Sequence, residues 1–410
     1  MSTTEEINET RSAARESTPK PLEPDDRYQL AVQGPRIERS INGARALLES
    51  WEKVDHKGAP RSSEVAAFFH LPYLSKRQGQ NTPFVALWEK NGMPDGILIG
   101  RHSLRRPKLS FLKMRVLMPR LRVLEIGTGG LEAYSYTTAQ QQAAYLRHLL
   151  VSGKVDRISI YNLPLDTDIG QALHDGLRYV GDGNPESAGH WFAELTDSAG
   201  NPIASNSAKT RSSFRRMDRK LCQFFNHKVE IQEFHSPDQV ADFIKVAARI
   251  GECTYQSEIG VGVKDDAMWH NKLGLYAASG NLRAYLLLGG GKPLAYAVGA
   301  LWESTYTGFA TSFLPEYSTV SPGGYLLRRM IEQFQQDGVR WFDFGAPDYG
   351  YKKVYGTMRR EIISMHYSAK TPAALTATIL DATVKKSEHA IRHILEASGL
   401  MARLRRMRQR

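Results

Sequence analysis

Tyr306-Thr-Gly-Phe-Ala-Thr-Ser-Phe313 reads as a β-strand, rich in aromatic and β-branched residues. It runs into Pro315-Glu-Tyr-Ser-Thr-Val-Ser-Pro-Gly-Gly324, a loop that opens directly into a helix with Leu326, Leu327, Met330, Ile331 and Phe334 on its apolar side. Ser321 and Pro322 mark the helix start, because proline at the first helical position loses no hydrogen bond. The first turn of a helix carries unpaired N–H groups and a partial positive charge, so it can hold a pyrophosphate. Gly323 and Gly324 would let such a group approach the backbone; equally, they can ease packing at an ordinary capped helix. A short strand over Arg340–Phe344 follows, within the run Phe342-Asp-Phe-Gly-Ala-Pro-Asp348. Alternation puts Asp343 on the face of Trp341 and turns Phe342 and Phe344 the other way. A carboxylate at the end of a buried strand is either a loop anchor or a base of raised pKa. In Tyr351-Lys-Lys-Val-Tyr-Gly356, the side chains Tyr351, Lys352 and Tyr355 can supply a proton to a leaving group or a cation to an oxyanion. They can also be no more than an amphipathic turn.

Upstream, Ser207 to Phe225 reads as an amphipathic helix with Phe214, Met217, Leu221, Phe224 and Phe225 on one stripe. Arg215, Arg216, Arg219 and Lys220 fall opposite, with Arg211 at the flank. Val229 and Ile231 mark a half-buried strand, Ser236–Pro237 starts a helix through Ala247, and Leu282–Leu288, Leu294–Leu301 and Tyr306–Phe313 make a meander. A last strand is expected over Glu361–Tyr367. Before residue 200, strands at Phe84–Trp88, Gly96–Gly100 and Arg157–Tyr161 surround a helix over Gln140–Leu150. The expected division is a disordered tail over 1–35, one α/β unit over 36–200, a second over 201–370, and a basic helical tail over 371–410.

The chain has 410 residues and a net charge of +11. Only Cys222 and Cys253 are present, which excludes a disulfide scaffold and a four-cysteine zinc site. No apolar run is long enough for a spanning helix, and the polar start has no signal-peptide core, so a cytoplasmic protein is expected. The basic charge is concentrated in 101–122, 204–221 and 385–410, which net +8, +5 and +6 and leave the remainder at −8. Such blocks suit an anionic partner: a phosphorylated cofactor, nucleic acid or an acidic membrane surface. They also suit a solvated basic face.

The second unit resembles the GNAT acyltransferase superfamily, in particular the CelD-like double-domain branch associated with bacterial polysaccharides. The resemblance rests on an ordered set over residues 205–368: Lys209-Thr-Arg211 with Arg215–Arg216, Thr254-Tyr-Gln256, Gly291-Lys-Pro-Leu-Ala295, Ser321-Pro-Gly323, Asp343-Phe-Gly345 and Tyr351-Lys352. The run Tyr351-Lys-Lys-Val-Tyr-Gly356 is also similar to the aromatic-Lys-x-x-aromatic-Gly run of FemAB-type aminoacyltransferases. Val320-Ser-Pro-Gly-Gly324 departs from the usual phosphate loop of the superfamily, having a proline and no basic lead residue.

The resemblance implies an α/β fold of two tandem GNAT-like domains, each a mixed, mostly antiparallel sheet flanked by helices. It implies acetyl-CoA or another acyl-CoA as co-substrate and no permanently bound cofactor or metal. Phe313, Ser321, Gly323 and Gly324 would hold the donor, and Arg211, Tyr255 and Gln256 would border the acceptor. It further implies Lys352 at the oxyanion, Tyr351 as acid, and Asp343 or Glu252 as base. The expected reaction is acyl transfer to an amine or hydroxyl of a sugar or cell-envelope precursor. Two other readings stay open: a FemAB-like aminoacyltransferase using aminoacyl-tRNA, and a non-catalytic partner of a polysaccharide synthase.

Weaker signals are Gly127-Thr-Gly-Gly130, read as a turn, and Cys222, read as packing. His389 and His393 read as a solvated pair. The basic C-terminus, from Leu400 to Arg410, suits contact with an anionic membrane or a frayed solvated end.

Overall fold

The structure, a computed structural model, describes residues 34–53, 81–107, 109–111, 114–177, 186–203, 206–254, 262–346 and 348–397. In chain order the main elements begin with β1 (Arg36–Glu38), α1 (Ile41–Glu52), β2 (Asn81–Lys90), β3 (Met93–Arg105), β4 (Leu109–Phe111), β5 (Met114–Val116) and β6 (Leu121–Ala133). They continue with α2 (Tyr136–Val151), β7 (Arg157–Pro164), α3 (Asp168–Leu177), β8 (Glu186–Glu194), α4 (Ala208–Phe224) and β9 (Val229–Phe234). Then come α5 (Val240–Glu252), α6 (Ala267–Ala278), β10 (Leu282–Gly289), β11 (Lys292–Trp302), β12 (Thr305–Phe313) and α7 (Pro322–Gln336). The last are β13 (Trp341–Gly345), α8 (Lys352–Tyr355), β14 (Met358–Ser368) and α9 (Pro372–Ala397).

Local chemistry fixes several of these ends. The hydroxyls of Ser40, Ser135 and Ser207 and the carboxylate of Asp266 each accept an N–H from the first turn of α1, α2, α4 and α6. Apolar residues at helical spacing then bury one face. On α7 these are Leu326, Met330 and Phe334, packed with Tyr285, Tyr306 and Phe342 of the sheet. Burying a side chain such as Phe334 stabilises the fold by about 1.5–3 kcal/mol. The opposite face of the same strands carries α5 and α6, through Phe243, Ile244, Leu273 and Tyr276 against Tyr296 and Val298. Around the N-terminal strands, α2 and α3 cover one face and α1 the other.

Among the described residues twelve strands make one sheet, in the order β1-β2-β3-β6-β7-β14-β8-β13-β12-β11-β10-β9. Two neighbouring pairs are parallel, β6 with β7 and β12 with β13; the others are antiparallel. The centre of the sheet is exchanged. Strand β14, late in the chain, lies between β7 and β8, and β8 lies between β14 and β13. The fold is thus α/β with a large, mostly antiparallel mixed sheet flanked by helices.

The structure modifies two local expectations. Gly127–Gly130 lies inside β6 rather than in a turn. Gly100 pairs with Ile126 and Leu98 with Leu131, so the four residues stand out of register as a bulge. Ser321 precedes α7 in a left-handed conformation, φ 52°, and its side chain makes no capping bond. The calls on residues 1–33 and 398–410 lie outside the described residues, as do the side chains of His389 and His393.

Candidate active site

Strands β12 and β13 are paired only over Thr305–Thr307 with Trp341–Asp343. Beyond that point β12 continues to Phe313, keeping β11 as its sheet neighbour, with Ala310 opposite Val298 and Phe313 opposite Ala295. A register shift between Val298 and Gly299 helps turn β12 away from β13. The sheet therefore splays at Gly308, and the β12 backbone from there to Phe313 has no strand partner on the β13 side among the described residues. An extended ligand can pair with such an edge as an added strand does.

The far end of this edge meets the start of α7. The Tyr325 N–H donates to the Ser321 carbonyl, whereas Pro322 has no N–H and the first-turn amides of Gly323 and Gly324 receive no side-chain cap among the described residues. A Cβ built on Gly323 would stand 3.2 Å from Phe313 Cδ1, so the loop folds back on the strand end. The structure thus brings Phe313, Ser321, Gly323 and Gly324 together. Gly324 is held by packing as well: a Cβ there would lie 2.8 Å from Ser321 Oγ and 3.0 Å from Arg328 Nη1.

Arg328 is buried beneath α4. Its guanidinium donates to Asp218 Oδ1 through Nε, at 3.0 Å, and through Nη2, and to Tyr355 Oη at 3.0 Å. It also lies over the Phe214 ring, which stacks on Tyr355. Burial pushes the Tyr355 hydroxyl pKa up, against the pull of Arg328. This network ties α4, α7 and α8 together behind the loop.

At the near end of the splay, Asp343 is 1% exposed. Its Oδ1 accepts the Gly345 N–H at 2.7 Å and lies 2.5 Å from His190 Nε2 on β8. Gly345 has φ 67°, a left-handed turn that a side chain would strain. The Gly345 carbonyl accepts a hydrogen bond from Lys352 Nζ at 2.8 Å. Lys352 is 2% exposed, and burial lowers its pKa to about 8 against the raising influence of Asp343 and Asp348. Asp348 accepts from Trp191 Nε1 at 2.8 Å, and this bond, followed by Lys353 and Arg359, holds its pKa below the usual range. Tyr351 is exposed beside Lys352.

Not every expected residue joins this group. Glu252 ends α5 on the exposed surface, and no bond among the described residues links it to the Asp343 cluster. Arg211 turns its guanidinium back to the Asn206 carbonyl. Tyr255 and Gln256 lie outside the described residues. His190 enters the site unannounced by the sequence reading. Its one sequence signal is the alternation Ala188, His190, Phe192, which places an imidazole on a face shared with an aromatic residue. Among the described residues no group of three or more His, Cys, Asp or Glu is placed to hold a metal ion. No helix there is long and apolar enough to cross a membrane.

Residues 208–353 match the family model of the acetyltransferase (GNAT) domain. The chain is accordingly an acyltransferase that carries a GNAT-type domain. No curated protein matches it in sequence. Among solved structures it is similar to FemX, with 13% identity, a TM-score of 0.53, and coverage of 80% of this chain and 96% of that one. A conserved protein of unknown function from Bacteroides thetaiotaomicron gives 10% identity, a TM-score of 0.49, and coverage of 82% and 100%. A tandem GNAT protein from the clavulanic acid biosynthesis pathway gives 11% identity, a TM-score of 0.46, and coverage of 82% and 99%. The likeness to FemX is one of fold.

Proposed function

We propose that the protein transfers an acyl group from acyl-CoA to an amine or hydroxyl, with a sugar or cell-envelope precursor as acceptor. The observation that carries this reading is the splay of β12 from β13, which has uncapped α7 amides at one end and the buried Lys352 ammonium at the other. In it the pantetheine pairs with the β12 edge, and the pyrophosphate sits on the amides of Gly323 and Gly324. The acceptor attacks the thioester carbon as a base takes its proton, Lys352 stabilises the oxyanion, the C–S bond breaks, and Tyr351 protonates the departing sulfur. The sugar or envelope acceptor follows from the family resemblance alone. Residues 36–200 and 201–370 then form two GNAT-like units that exchange β8 and β14, working in the cytoplasm with the basic C-terminus available to an anionic membrane surface.

Calorimetric titration with acetyl-CoA, longer acyl-CoAs and CoA tests the donor, and thiol release against a panel of amino sugars and sugar alcohols tests the acceptor. Saturable binding of an acyl-CoA is expected; no binding of any CoA species would remove this reading. A second reading, aminoacyl transfer from aminoacyl-tRNA, is favoured by one observation. A cleft of about 630 Å³ between α4 and α7 is lined by Arg215, Arg219, Arg329, His227 and Tyr325, together with the Asp218 carboxylate that pairs with Arg329, beside the further exposed cations Arg216 and Lys220. That reading requires tRNA affinity that falls steeply with salt.

A further inference from the structure

We propose that His190, held through Nε2 by Asp343, is the general base of the reaction; this rests on the acyl-transfer reading above. Asp343 is poorly placed to take a proton from substrate. It is 1% exposed, and its Oδ1 already accepts the Gly345 N–H at 2.7 Å and meets His190 Nε2 at 2.5 Å. An oxygen engaged in this way orients an imidazole: it accepts the Nε2–H and fixes the tautomer whose lone pair is on Nδ1. Nδ1 has no partner among the described residues. The Phe192 ring lies against the imidazole, 4.4 Å between centroids and 7° from parallel, and sets its plane.

The same turn carries the oxyanion donor. Gly345 gives its N–H to Asp343 and its carbonyl to Lys352, so the base and the cation are placed by the two sides of one residue. His190 comes from β8, the exchanged strand, and β13 supplies Asp343. The pair therefore assembles only when the two parts of the chain share one sheet.

Water is the simplest acceptor. The water oxygen bonds to the thioester carbon while its proton passes to His190 Nδ1. The C–S bond then breaks, Tyr351 protonates the sulfur, and the imidazolium and the tyrosinate exchange protons with solvent. The net reaction is acetyl-CoA plus water to acetate plus CoA. The role assigned to Asp343 is that of a positioning residue, as a carboxylate behind a histidine commonly is. The structural alternative is a buried polar pair that pins β8 to β13 and does nothing further.

Three measurements on the full-length protein separate these. In ¹⁵N-labelled protein, the His190 ring shifts, assigned by their absence in His190→Gln, should show Nε2 protonated and Nδ1 bare; the opposite tautomer overturns the proposal. His190→Gln keeps a donor for Asp343 but has no group that can take the proton. It should bind acetyl-CoA within threefold of wild type and lose about 10²–10⁴-fold in hydrolysis of acetyl-CoA. His190→Ala should regain turnover when imidazole is added. If the Gln variant turns over at the wild-type rate, or if the Ala variant folds, binds acetyl-CoA and gains nothing from imidazole, His190 is only a pin. Failure of wild-type protein to bind acetyl-CoA would instead remove the donor reading, and the tautomer measurement would still read the pair.

Discussion

Lys352 Nζ donates to the Gly345 carbonyl oxygen at 2.8 Å, with 2% of the residue exposed. Burial lowers its pKa from 10.5 to about 8, so it is a cation at neutral pH that is easily discharged. An ammonium that stabilises an oxyanion must be charged, and activity should fall as pH rises through about 8. Stability moves the other way. Between pH 8 and 10.5 the unfolded chain holds this proton and the folded chain does not, so stability rises with pH across that window. The full relief is on the order of 3 kcal/mol. Thiol-release rates and urea midpoints recorded across pH 7–10 check both slopes. Lys352→Met should remove both and slow turnover about 10²–10³-fold.

The two loop glycines should separate by variant. Gly323→Ala presses only on Phe313, which is 38% exposed and can move, so the fold should change by less than ~1 kcal/mol. If the proposed pyrophosphate site is correct, its acetyl-CoA affinity should drop at least tenfold, because the new Cβ would stand in the path of the phosphate. Gly324→Val meets Ser321 and the locked Arg328, and should lower the melting temperature even without ligand. Calorimetric titration and thermal unfolding of the two proteins give the comparison.

Asp218→Ala leaves the Arg328 guanidinium buried without its carboxylate and also removes a partner of Arg329. A broken buried pair costs about 3–5 kcal/mol, which a urea titration should show. Replacing both partners by apolar residues, Asp218→Leu with Arg328→Met, should cost less than the single change.

Tyr351→Phe removes one hydroxyl from an exposed side chain and should leave stability unchanged within ~0.5 kcal/mol. If it serves the departing sulfur, steady-state turnover of acetyl-CoA should fall about 10²-fold or more with acetyl-CoA affinity retained. An unchanged rate would take Tyr351 out of the mechanism.

Much of the backbone around Phe313, Gly323 and Asp343 was legible in the sequence, because its signals are local. The strand ending at Phe313, the Pro–Gly–Gly start of α7 and the facing of Asp343 each follow from periodicity or turn chemistry within a few residues. The rest depends on distant pairing. His190 gains its meaning from Asp343, 153 residues away, and strand pairing at that range leaves no mark on spacing. Arg328 looks like a surface arginine of an amphipathic helix until α4 is laid over it with Asp218. Gly127–Gly130 has turn composition, yet its neighbours Ile126 and Leu131 stay paired to β3, and the glycines become a bulge rather than a corner.

The exchange of β8 and β14 also bears on how the chain is made. Strand β7 ends at Pro164, but its partner β14 is complete only at Ser368. During synthesis the edge of β7 waits, unpaired, while most of the remaining chain emerges, and a nascent chain stopped before Met358 ends with that edge open. Open edges recruit other strands, so ribosome-bound intermediates of this protein are where unwanted association between chains would begin.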